Sequence, residues 1–465
     1  MLKMGCLTPH PPILLPEVGG AESKKVDKTY KSMQKLAEDV GRLQPETVVF
    51  FTPHGNVFQD AFTFLPGERI EGSLRRFGFD RKFAFANDLP LLKRLQDITR
   101  RSDLSLLPAG DELVRRFHVQ QDLDHGILVP LYFLCQNLPQ SCKLAAISIA
   151  FTDNGELYEF GKAVREAAEV TGRDIVIVAS GDLSHRLTES APAGYHPKGR
   201  ECDEALTVMV GRGDFTGILN MDRDLLEDAG ECGYRPLVML LGALEGLEVE
   251  SELLSYEGPF GVGYAVAEFR PGRAAARSVW EDWRRINEKA LREKRSREHP
   301  LVRWARRVAE EYVSTGKIPS TPGDLPAPAG EKAGVFVSVK KHGRLRGCIG
   351  TIEPAASSVA EEIKMNAVAA VSRDPRFEPV DKGELEALTY SVDVLSPSEP
   401  VKEPGELDPS RYGVIVENGG RRGLLLPDLP GVDTVEQQLS IARNKAGIGD
   451  DESVDIRRFK VTRYR

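Results

Sequence analysis

The chain has 465 residues, of which 41% are hydrophobic and 28% are charged. At about 100–200 residues per domain this length predicts two to four domains, and the composition is that of a globular protein rather than a disordered tail. The formal net charge of -8 argues against nucleic acid as the main partner, because polyanion binding needs a basic surface. Apolar runs of about 18 residues do not occur, so we expect a cytoplasmic protein with no membrane partner, and a homo-oligomer is compatible with the sequence.

Cysteine usage indicates reduced thiols. The six cysteines are scattered, and no two are spaced as CxxC, which fits free thiols in a reducing compartment better than a disulfide framework. They are Cys6, Cys135, Cys142, Cys202, Cys232 and Cys348.

The first 270 residues or so alternate short apolar runs with helical patterns, which predicts an α/β domain. The predicted strands are apolar without strict alternation, as is typical of strands buried on both faces of a mostly parallel or mixed sheet. A hairpin closes this part of the chain. The strands are expected at 2–7, 47–52, 144–150 and 175–179, the helices at 24–43 and 157–170, and the hairpin at 247–269.

The composition of the chain changes near residue 271, where a highly charged segment begins, and this predicts a domain boundary. The highly charged, helical pattern at 271–298 predicts a connector helix, partly packed through Trp280 and Trp283. A helix, a strand pair, a second helix and further strands follow, with a hairpin turn at Asn418-Gly419-Gly420. We therefore expect an α/β N-terminal domain with helices flanking its sheet over 1–272, a charged helical linker over 273–295 and an α+β C-terminal domain over 296–465.

Three histidines follow predicted strands, and a fourth begins a predicted helix. His10 lies in LTPHPP, His54 in FTPHG and His185 in ASGDLSHR, while His125 opens HGILVPL. Because the ligand crevice of an open α/β sheet lies outside the carboxyl ends of its strands, these side chains can converge there. A single histidine of this kind is more often a turn residue, but the repeated TPH favours His10 and His54 as a pair that binds one divalent metal.

A third metal ligand is expected in GECGYRPLVMLLGAL, at the start of a predicted amphipathic helix. Glu231 would complete the two-histidine, one-carboxylate set of Fe(II) oxygenases, whereas Cys232 would favour copper or zinc. Adjacent helical side chains point about 100° apart, so we expect only one of the two to face the metal. The alternative is that Glu231 complements the helix dipole and Cys232 is a buried thiol. Asp182 in SGDLSH is a further candidate, as a ligand or as a turn cap.

Taken together, TPHPP, TPHG, DHGILVPL, SGDLSH and ECG resemble the class III extradiol ring-cleavage dioxygenases, specifically their LigB-like catalytic subunit. They also resemble the Memo proteins, which share that fold. In dioxygenases of this type two histidines and a glutamate bind Fe(II), and the resemblance carries these roles onto His10, His54 and Glu231. It therefore implies Fe(II) as the cofactor, with a small aromatic substrate such as a catechol and O₂ as the reactants.

The same resemblance assigns two further histidines and leaves the third ligand open. It implies that His185 acts as the catalytic acid and base and that His125 lines the substrate pocket. Memo-type proteins instead place a cysteine where this chain has Cys232, and they are not established ring-cleaving enzymes; zinc or copper are then the alternative metals. This sequence contains both Glu231 and Cys232, so the motif does not decide between the two branches.

The segments LRGCIGT, NAVAAVSRDPRF and EQQLSIARNKAGI resemble the AMMECR-type family over about 296–465. AMMECR-type and Memo-like domains occur with radical S-adenosylmethionine proteins, so the fused pair resembles the A-type proteins of the AmmeMemoRadiSam system. A radical S-adenosylmethionine protein is then the implied partner. A C-terminal site would contain Arg346, which can bind an anion, and the thiol of Cys348. The alternative is an inert thiol with Arg346 paired internally.

Overall fold

A computed structural model of the chain describes residues 1–102, 104–341, 343–429, 431–449 and 451–465. Within these residues, no helix combines the length and the apolar character that crossing a bilayer requires.

The chain divides into two units, Met1–Arg285 and Ile286–Arg465. The strands of the first are β1 (Leu2–Thr8), β2 (Thr47–Thr52), β3 (Phe62–Phe64), β4 (Arg69–Ser73), β5 (Lys82–Ala86), β6 (Leu106–Pro108), β7 (Lys143–Ser148), β8 (Ile175–Ser180), β9 (Leu247–Glu257) and β10 (Tyr264–Ala274). Its helices are α1 (Pro16–Gly19), α2 (Asp27–Arg42), α3 (Leu89–Arg101), α4 (Asp111–Phe117), α5 (His125–Leu134), α6 (Asn154–Val170), α7 (Pro197–Arg212), α8 (Phe215–Leu219), α9 (Arg223–Ala229) and α10 (Tyr234–Ala243), and α11 (Val279–Ser296) follows them.

The central strands of the first unit are apolar on both faces. Every residue of β2 is buried. Val48 and Phe50 belong to one hydrophobic cluster, whereas Val49 and Phe51 belong to another. Because successive side chains of a strand point to opposite faces, the two clusters lie on the two sides of the sheet. Helices cover both sides, which is why these strands show no polar alternation in the sequence.

Among the described residues of the first unit, eight strands form one sheet in the order β6-β3-β7-β2-β8-β1-β10-β9. The neighbours β7, β2, β8 and β1 run parallel. Strand β10 is antiparallel to β1 and β9, and β3 is antiparallel to β7. The expected α/β fold with a mostly parallel, mixed sheet flanked by helices is confirmed, and β9 and β10 form the expected hairpin.

Helices α6 and α10 pack closely enough to require glycine at their contact. A Cβ at Gly161 of α6 would lie 1.9 Å from the carbonyl oxygen of Met239, and one at Gly242 of α10 would lie 2.0 Å from that of Tyr158. Any larger residue would push the two backbones apart. This contact fixes the position of α10 and of the loop before it, which carries Glu231 and Cys232.

In its described residues the second unit contains the end of α11, three further α-helices and two small sheets. Its helices are α12 (Pro300–Thr315), α13 (Val359–Ser372) and α14 (Val435–Ala446). Its strands are β11 (Val335–Lys341), β12 (Arg344–Gly350), β13 (Leu388–Leu395), β14 (Glu399–Pro400), β15 (Gly413–Asn418), β16 (Arg421–Leu425), β17 (Asp455–Phe459) and β18 (Val461–Tyr464).

One face of the first small sheet packs against helices. In the described chain the two sheets have the orders β12-β11-β13-β18 and β14-β17-β15-β16. Val337 of β11 and Val392 of β13 pack with Trp304 of α12 and Ile363 of α13. The expected α+β class is confirmed. The expected hairpin is also present between β15 and β16, where Gly419 and Gly420 take φ values of 54° and 86° that suit glycine.

Helix α11 occupies the expected connector segment. The side chain of Trp283 is buried, and its indole N–H donates to the carbonyl of Leu219 at 3.0 Å. Trp280 stacks on Tyr158 with ring centroids 4.9 Å apart. The boundary between the two units falls inside this helix, and the domain bounds drawn from the sequence stay a prediction.

Candidate metal centre

His10 and His54 face each other at the carboxyl edge of the first sheet. Strands β1 and β2 flank β8 and run parallel to it. The loop after β1, which carries His10, and the loop after β2, which carries His54, therefore leave the same edge of the sheet. The Nε2 atoms of His10 and His54 lie 2.9 Å apart, and the rings meet edge to face. Two imidazole nitrogens at this separation can bind one cation, because metal–nitrogen bonds to zinc are about 2.0–2.1 Å long.

Ser180, the last residue of β8, determines which nitrogen of His10 carries the proton. Its hydroxyl donates to the carbonyl of Gly126, and a hydroxyl has one proton to donate. The contact of 2.9 Å between Ser180 Oγ and His10 Nδ1 therefore requires the ring to donate from Nδ1. The Nε2 lone pair of neutral His10 is left free toward His54, which is the orientation that a metal ligand needs.

Cys232 supplies a third donor beside this pair. Its Sγ lies 3.7 Å from Nε2 of His10. Among the described residues, the ligand atoms of His10, His54 and Cys232 form a group within 4.8 Å of one another. Burial raises the pKa of the Cys232 thiol well above its usual value, whereas the N–H of Asp182, 3.2 Å from Sγ, favours the thiolate. A cation bound here would have to displace the thiol proton.

Two glycines bring Cys232 to the histidines. A Cβ at Gly181, after β8, would lie 2.0 Å from Cα of Gly233, before α10. The carbonyl of Asp182 also accepts the N–H groups of Cys232 and Gly233 at 3.1 and 2.9 Å. The loop after β8 and the loop before α10 are thus in direct backbone contact, which places the thiol at the strand ends.

Glu231 lies next to Cys232 but faces elsewhere. Its Oε2 accepts the backbone N–H of Tyr234 at 2.5 Å, and Glu231 lies outside the group of three donors. Burial raises its pKa to about 7. Helix α10 begins at Tyr234, after both residues, and apart from Arg235 it is buried. The expected helix start at Glu231 and Cys232 is therefore wrong. The expected amphipathic pattern is also wrong, because α10 packs between the sheet and α6 and only Arg235 is partly exposed.

His125 stacks on His54 and is held by an arginine. The two rings have centroids 4.4 Å apart. Nη2 of Arg76 donates to His125 Nδ1 at 2.8 Å, so neutral His125 carries its proton on Nε2. Asp124 caps the helix, since its Oδ1 accepts the N–H of Gly126 at 2.7 Å and the hydroxyl of Thr52 at 2.8 Å.

His185 lies on the loop after β8, close to the pair. Its charge would lower the pKa of His10 and of His54. The side chain is half-buried, and Nδ1 has no hydrogen-bond partner among the described residues. Burial lowers the pKa of His185, so the ring is neutral near pH 7, and its unpaired Nδ1 atom is itself buried.

All four imidazoles are held in the neutral form. Burial is the largest cause in each case. It lowers the pKa of His10 well below 6.5, that of His54 to about 4 and that of His125 to about 3. Neutral imidazole is the form that binds metal ions. The donor set of two imidazoles and one thiol therefore fits a transition metal without the loss of a proton from a charged imidazolium.

Asp182 connects the loop that carries His10 to the loop that carries Cys232. Its Oδ1 accepts the backbone N–H of His10 at 2.9 Å, and its Oδ2 lies 3.8 Å from His10 Nε2. Burial raises the pKa of Asp182 to about 7. The residue thus fixes the loop of His10 while its backbone binds the loop of Cys232.

Arg346 and Cys348, the candidate site residues of the C-terminal domain, both make hydrogen bonds within that domain. Arg346 donates from Nε and Nη2 to Glu384 at 2.9 and 2.8 Å. Cys348 is half-buried, accepts the hydroxyl of Ser338 at 3.2 Å and donates its backbone N–H to Asp374 at 2.8 Å. The guanidinium of Arg346 is thus paired internally.

Sequence reasoning did not identify the groups that orient the centre. Ser180, Gly181 and Arg76 contact the metal donors or their neighbours, yet none stands out in the sequence. Ser180 and Gly181 precede the SGDLSH aspartate directly, so the end of a buried strand was the signal that could have pointed to them. Arg76 lies in a 3₁₀ turn beyond the predicted strands and carried no such signal.

Comparisons with known proteins show which families the two parts of the chain match. The family described as the catalytic LigB subunit of aromatic ring-opening dioxygenase matches residues 4–267, and AMMECR1 matches 302–465. Protein CA_C1420 of Clostridium acetobutylicum is 40% identical over 462 residues, which cover 99% of this chain and 98% of that protein. A Thermotoga maritima protein is 53% identical over 171 residues, 36% of this chain and 98% of its own length. The crystal structure of uncharacterized protein PH0010 from Pyrococcus horikoshii has 35% identity and a TM-score of 0.34, and covers 36% of this chain and 89% of that one. The chain therefore belongs to the LigB family of aromatic ring-opening dioxygenase catalytic subunits, and an AMMECR1 domain follows the LigB domain.

Proposed function

We propose that the LigB domain binds a soft transition metal, copper or zinc, through His10, His54 and Cys232. In this proposal the protein is a metal-binding component without oxygenase activity, and its partner is a radical S-adenosylmethionine enzyme. The fused AMMECR1 domain is compatible with such a role. The observation that carries the proposal is the thiol at 3.7 Å from His10 Nε2.

The position of Glu231 supports a thiol ligand over a carboxylate ligand. Non-haem Fe(II) oxygenases use two histidines and one carboxylate, whereas thiolate ligands favour copper or zinc. Here Oε2 of the Glu231 carboxylate accepts the N–H of Tyr234, and the close group of ligand atoms among the described residues contains Cys232 and not Glu231. A bound ion of this kind supplies Lewis-acid or redox chemistry.

The residues around the donors would prepare them for the ion. Ser180 keeps the Nε2 lone pair of His10 free, and burial keeps His10 and His54 neutral. The N–H of Asp182 points at Sγ of Cys232 and would stabilise the thiolate. Because the thiol proton must leave, we expect metal affinity to rise with pH.

Metal analysis of variants at the adjacent residues Cys232 and Glu231 tests the proposal. We expect Cys232→Ala to lose copper and zinc and Glu231→Gln to retain them, measured by elemental analysis after dialysis at equal protein concentration. Glu231→Gln is the matched control, because it lies next to Cys232 and keeps the side-chain shape. Iron that is lost from Glu231→Gln and kept by Cys232→Ala would refute the thiol site.

Extradiol ring cleavage by an Fe(II)-loaded form is the second candidate function. It is supported by the LigB family and by His125 and His185 beside the metal pair. His125 carries an Nε2 proton that could hydrogen-bond to a bound substrate, and the neutral ring of His185 could take up a substrate proton.

Oxygen uptake tests this second candidate. Protein reconstituted with Fe(II) without air would be mixed with O₂ and a panel of catechols, and ring opening would give a yellow product. His185→Gln should lose that activity while keeping its iron. No O₂ uptake with any catechol by fully iron-loaded protein would exclude ring cleavage.

A further inference from the structure

A groove on the C-terminal domain is lined by three arginines. Its volume is ≈ 400 Å³, within the range of about 300–1,000 Å³ that is typical of small-molecule sites. It lies outside the metal centre and takes its walls from the loops before β15 and after β16 and from β18. The lining residues are Ser410, Arg411, Pro427, Asp428, Val461, Arg463 and Arg465.

Arg463 is held rigidly at one wall of the groove. Its Nε and Nη2 donate to the two carboxylate oxygens of Asp393, at 2.9 and 3.2 Å. Asp393 is only 3% exposed. It neighbours Val392 in β13, so it lies on the sheet face opposite to the one that packs against α12 and α13. A guanidinium held at two atoms is preorganised. The Nη1 atom of Arg463 makes no hydrogen bond to the described residues.

The other two arginines lack a close carboxylate. Within the described part of the chain, neither Arg411 nor Arg465 has a carboxylate oxygen within the 4.0 Å of an ion pair. Asp408 lies near Arg411, but its Oδ1 accepts the N–H and hydroxyl of Ser410 at 3.0 and 2.7 Å. The lining holds the carboxylate of Asp428, and the last residue, Arg465, adds its own α-carboxylate, whose carbonyl oxygen accepts the N–H of His299 at 3.1 Å. What distinguishes the groove is therefore not its net charge but the guanidinium groups of Arg411 and Arg465, which have no ion-pair partner among the described residues.

We infer that this groove binds the phosphate group of a small organic molecule. Guanidinium groups bind phosphate through paired N–H donors, and those of Arg411 and Arg465 line this groove together with Arg463, whose Nη1 is not used by Asp393. Val461 and Pro427 add apolar surface beside the cations, which suits the carbon part of a phosphate ester. The guanidinium groups of Arg411 and Arg465, which have no ion-pair partner among the described residues, would donate to the phosphate oxygens.

Binding of phenyl phosphate to the full-length protein tests the inference. We expect saturable, one-to-one binding by calorimetry at physiological ionic strength, where screening over about 8 Å weakens non-specific attraction. Arg411→Gln combined with Arg465→Gln should weaken it by about tenfold or more, because charge-assisted hydrogen bonds are lost. Inorganic pyrophosphate is the second probe: tighter binding of phenyl phosphate supports an organic ligand, whereas preference for pyrophosphate would overturn that part of the inference.

The matched control removes the same charge elsewhere in the domain. Arg307 and Arg373 are exposed and lie on α12 and at the end of α13, which cover the other face of the sheet. Arg307→Gln combined with Arg373→Gln should leave binding unchanged. Equal weakening in both double variants, or the absence of saturable binding in the unaltered protein, would refute the groove as a phosphate site. Circular dichroism of each variant shows that its fold is retained.

Discussion

At the scale of single residues, the protonation of the histidines depends on neighbours outside the candidate donor set. Ser180 fixes the proton of His10 on Nδ1, and Arg76 fixes the proton of His125 on Nε2. The sequence places His10, His54, His125 and His185 at strand and helix ends, which is why their convergence could be expected. Their tautomers could not be expected, because they depend on hydrogen bonds between residues more than 40 positions apart.

Ser180→Ala should weaken metal binding. Without the hydroxyl acceptor, His10 no longer has to keep its proton on Nδ1, and loss of such an outer partner typically costs about 10–100-fold in affinity. Ser148→Ala is the control, since Ser148 ends strand β7, which β2 separates from β8, and accepts the N–H of Asn56 instead. Competition titration with zinc measures both variants; equal affinity in the two would contradict the role of Ser180.

Arg76→Gln should raise the pKa of His125 in metal-free protein. Burial is the largest cause of the lowered pKa, and the positive charge of Arg76 lowers it further, so removing that charge moves the pKa upward. Arg75→Gln is the matched control, because Arg75 is adjacent and pairs with Asp80. Nitrogen-15 NMR of the imidazole reports both pKa and tautomer, and an unchanged His125 in Arg76→Gln would refute the contact.

At the scale of elements, the sequence predicts the long buried strands and misses the short ones. Strands β1, β2, β7 and β8 are continuous apolar runs and appear close to their expected bounds. Strands β3 and β6 have three residues each, and β4 and β5 alternate buried with exposed positions in a separate pair. Runs this short give little periodic signal. The choice between Glu231 and Cys232 was also out of reach, since both precede α10 in a bend that helical geometry does not describe.

Gly181→Ala should separate the two loops that position Cys232. The added Cβ would meet the backbone of Gly233 at 2.0 Å, and neither backbone can yield without moving the thiol. Gly110→Ala is the control, because its Cβ would have an ordinary contact of 3.6 Å with Pro66. Metal stoichiometry and melting temperature should both fall for Gly181→Ala alone. Full metal binding by that variant would show that the loop contact does not position the ligand.

In the C-terminal domain, Asp374 joins the end of α13 to β12. It is buried, accepts the N–H of Cys348 and pairs with Arg376, which lowers its pKa to about 2. A folded-state pKa below the usual 3.8 stabilises the fold above about pH 4, and this stability is lost as the pH falls toward 2. Asp374→Asn should therefore cost about 2 kcal/mol at pH 7.

Urea denaturation followed as a function of pH checks this expectation. The difference between Asp374→Asn and the unaltered protein should shrink as the pH falls below about 4. Asp433→Asn, which alters an exposed carboxylate, should change stability little at any pH. A gap for Asp374→Asn that is independent of pH would mean that the lost contact is steric rather than ionic.

At the scale of the whole molecule, a LigB domain and an AMMECR1 domain share one chain, and the Clostridium acetobutylicum relative extends over both. The two domain types could be identified from short motifs, because TPHPP, TPHG, DHGILVPL, SGDLSH and ECG are distinctive as a set and LRGCIGT is distinctive by itself. The metal could not be identified, since its choice depends on which of two adjacent side chains faces the histidines.

Metal binding should stabilise the LigB domain in the full-length protein. A ligand present at about 100 times its Kd stabilises the folded state by about 2.7 kcal/mol. Differential scanning calorimetry with zinc, and again with a chelator, should show one transition that shifts with the metal. The shift should be absent in Cys232→Ala and present in Glu231→Gln. A shift of equal size in both variants would contradict a thiol ligand.

X-ray absorption at the edge of the bound metal tests the central claim most directly. Metal held by His10, His54 and Cys232 should show one sulfur neighbour at about 2.3 Å for zinc, together with imidazole nitrogens, and Cys232→Ala should lose the sulfur. A first shell of nitrogen and oxygen alone, the same in both proteins, would contradict the account.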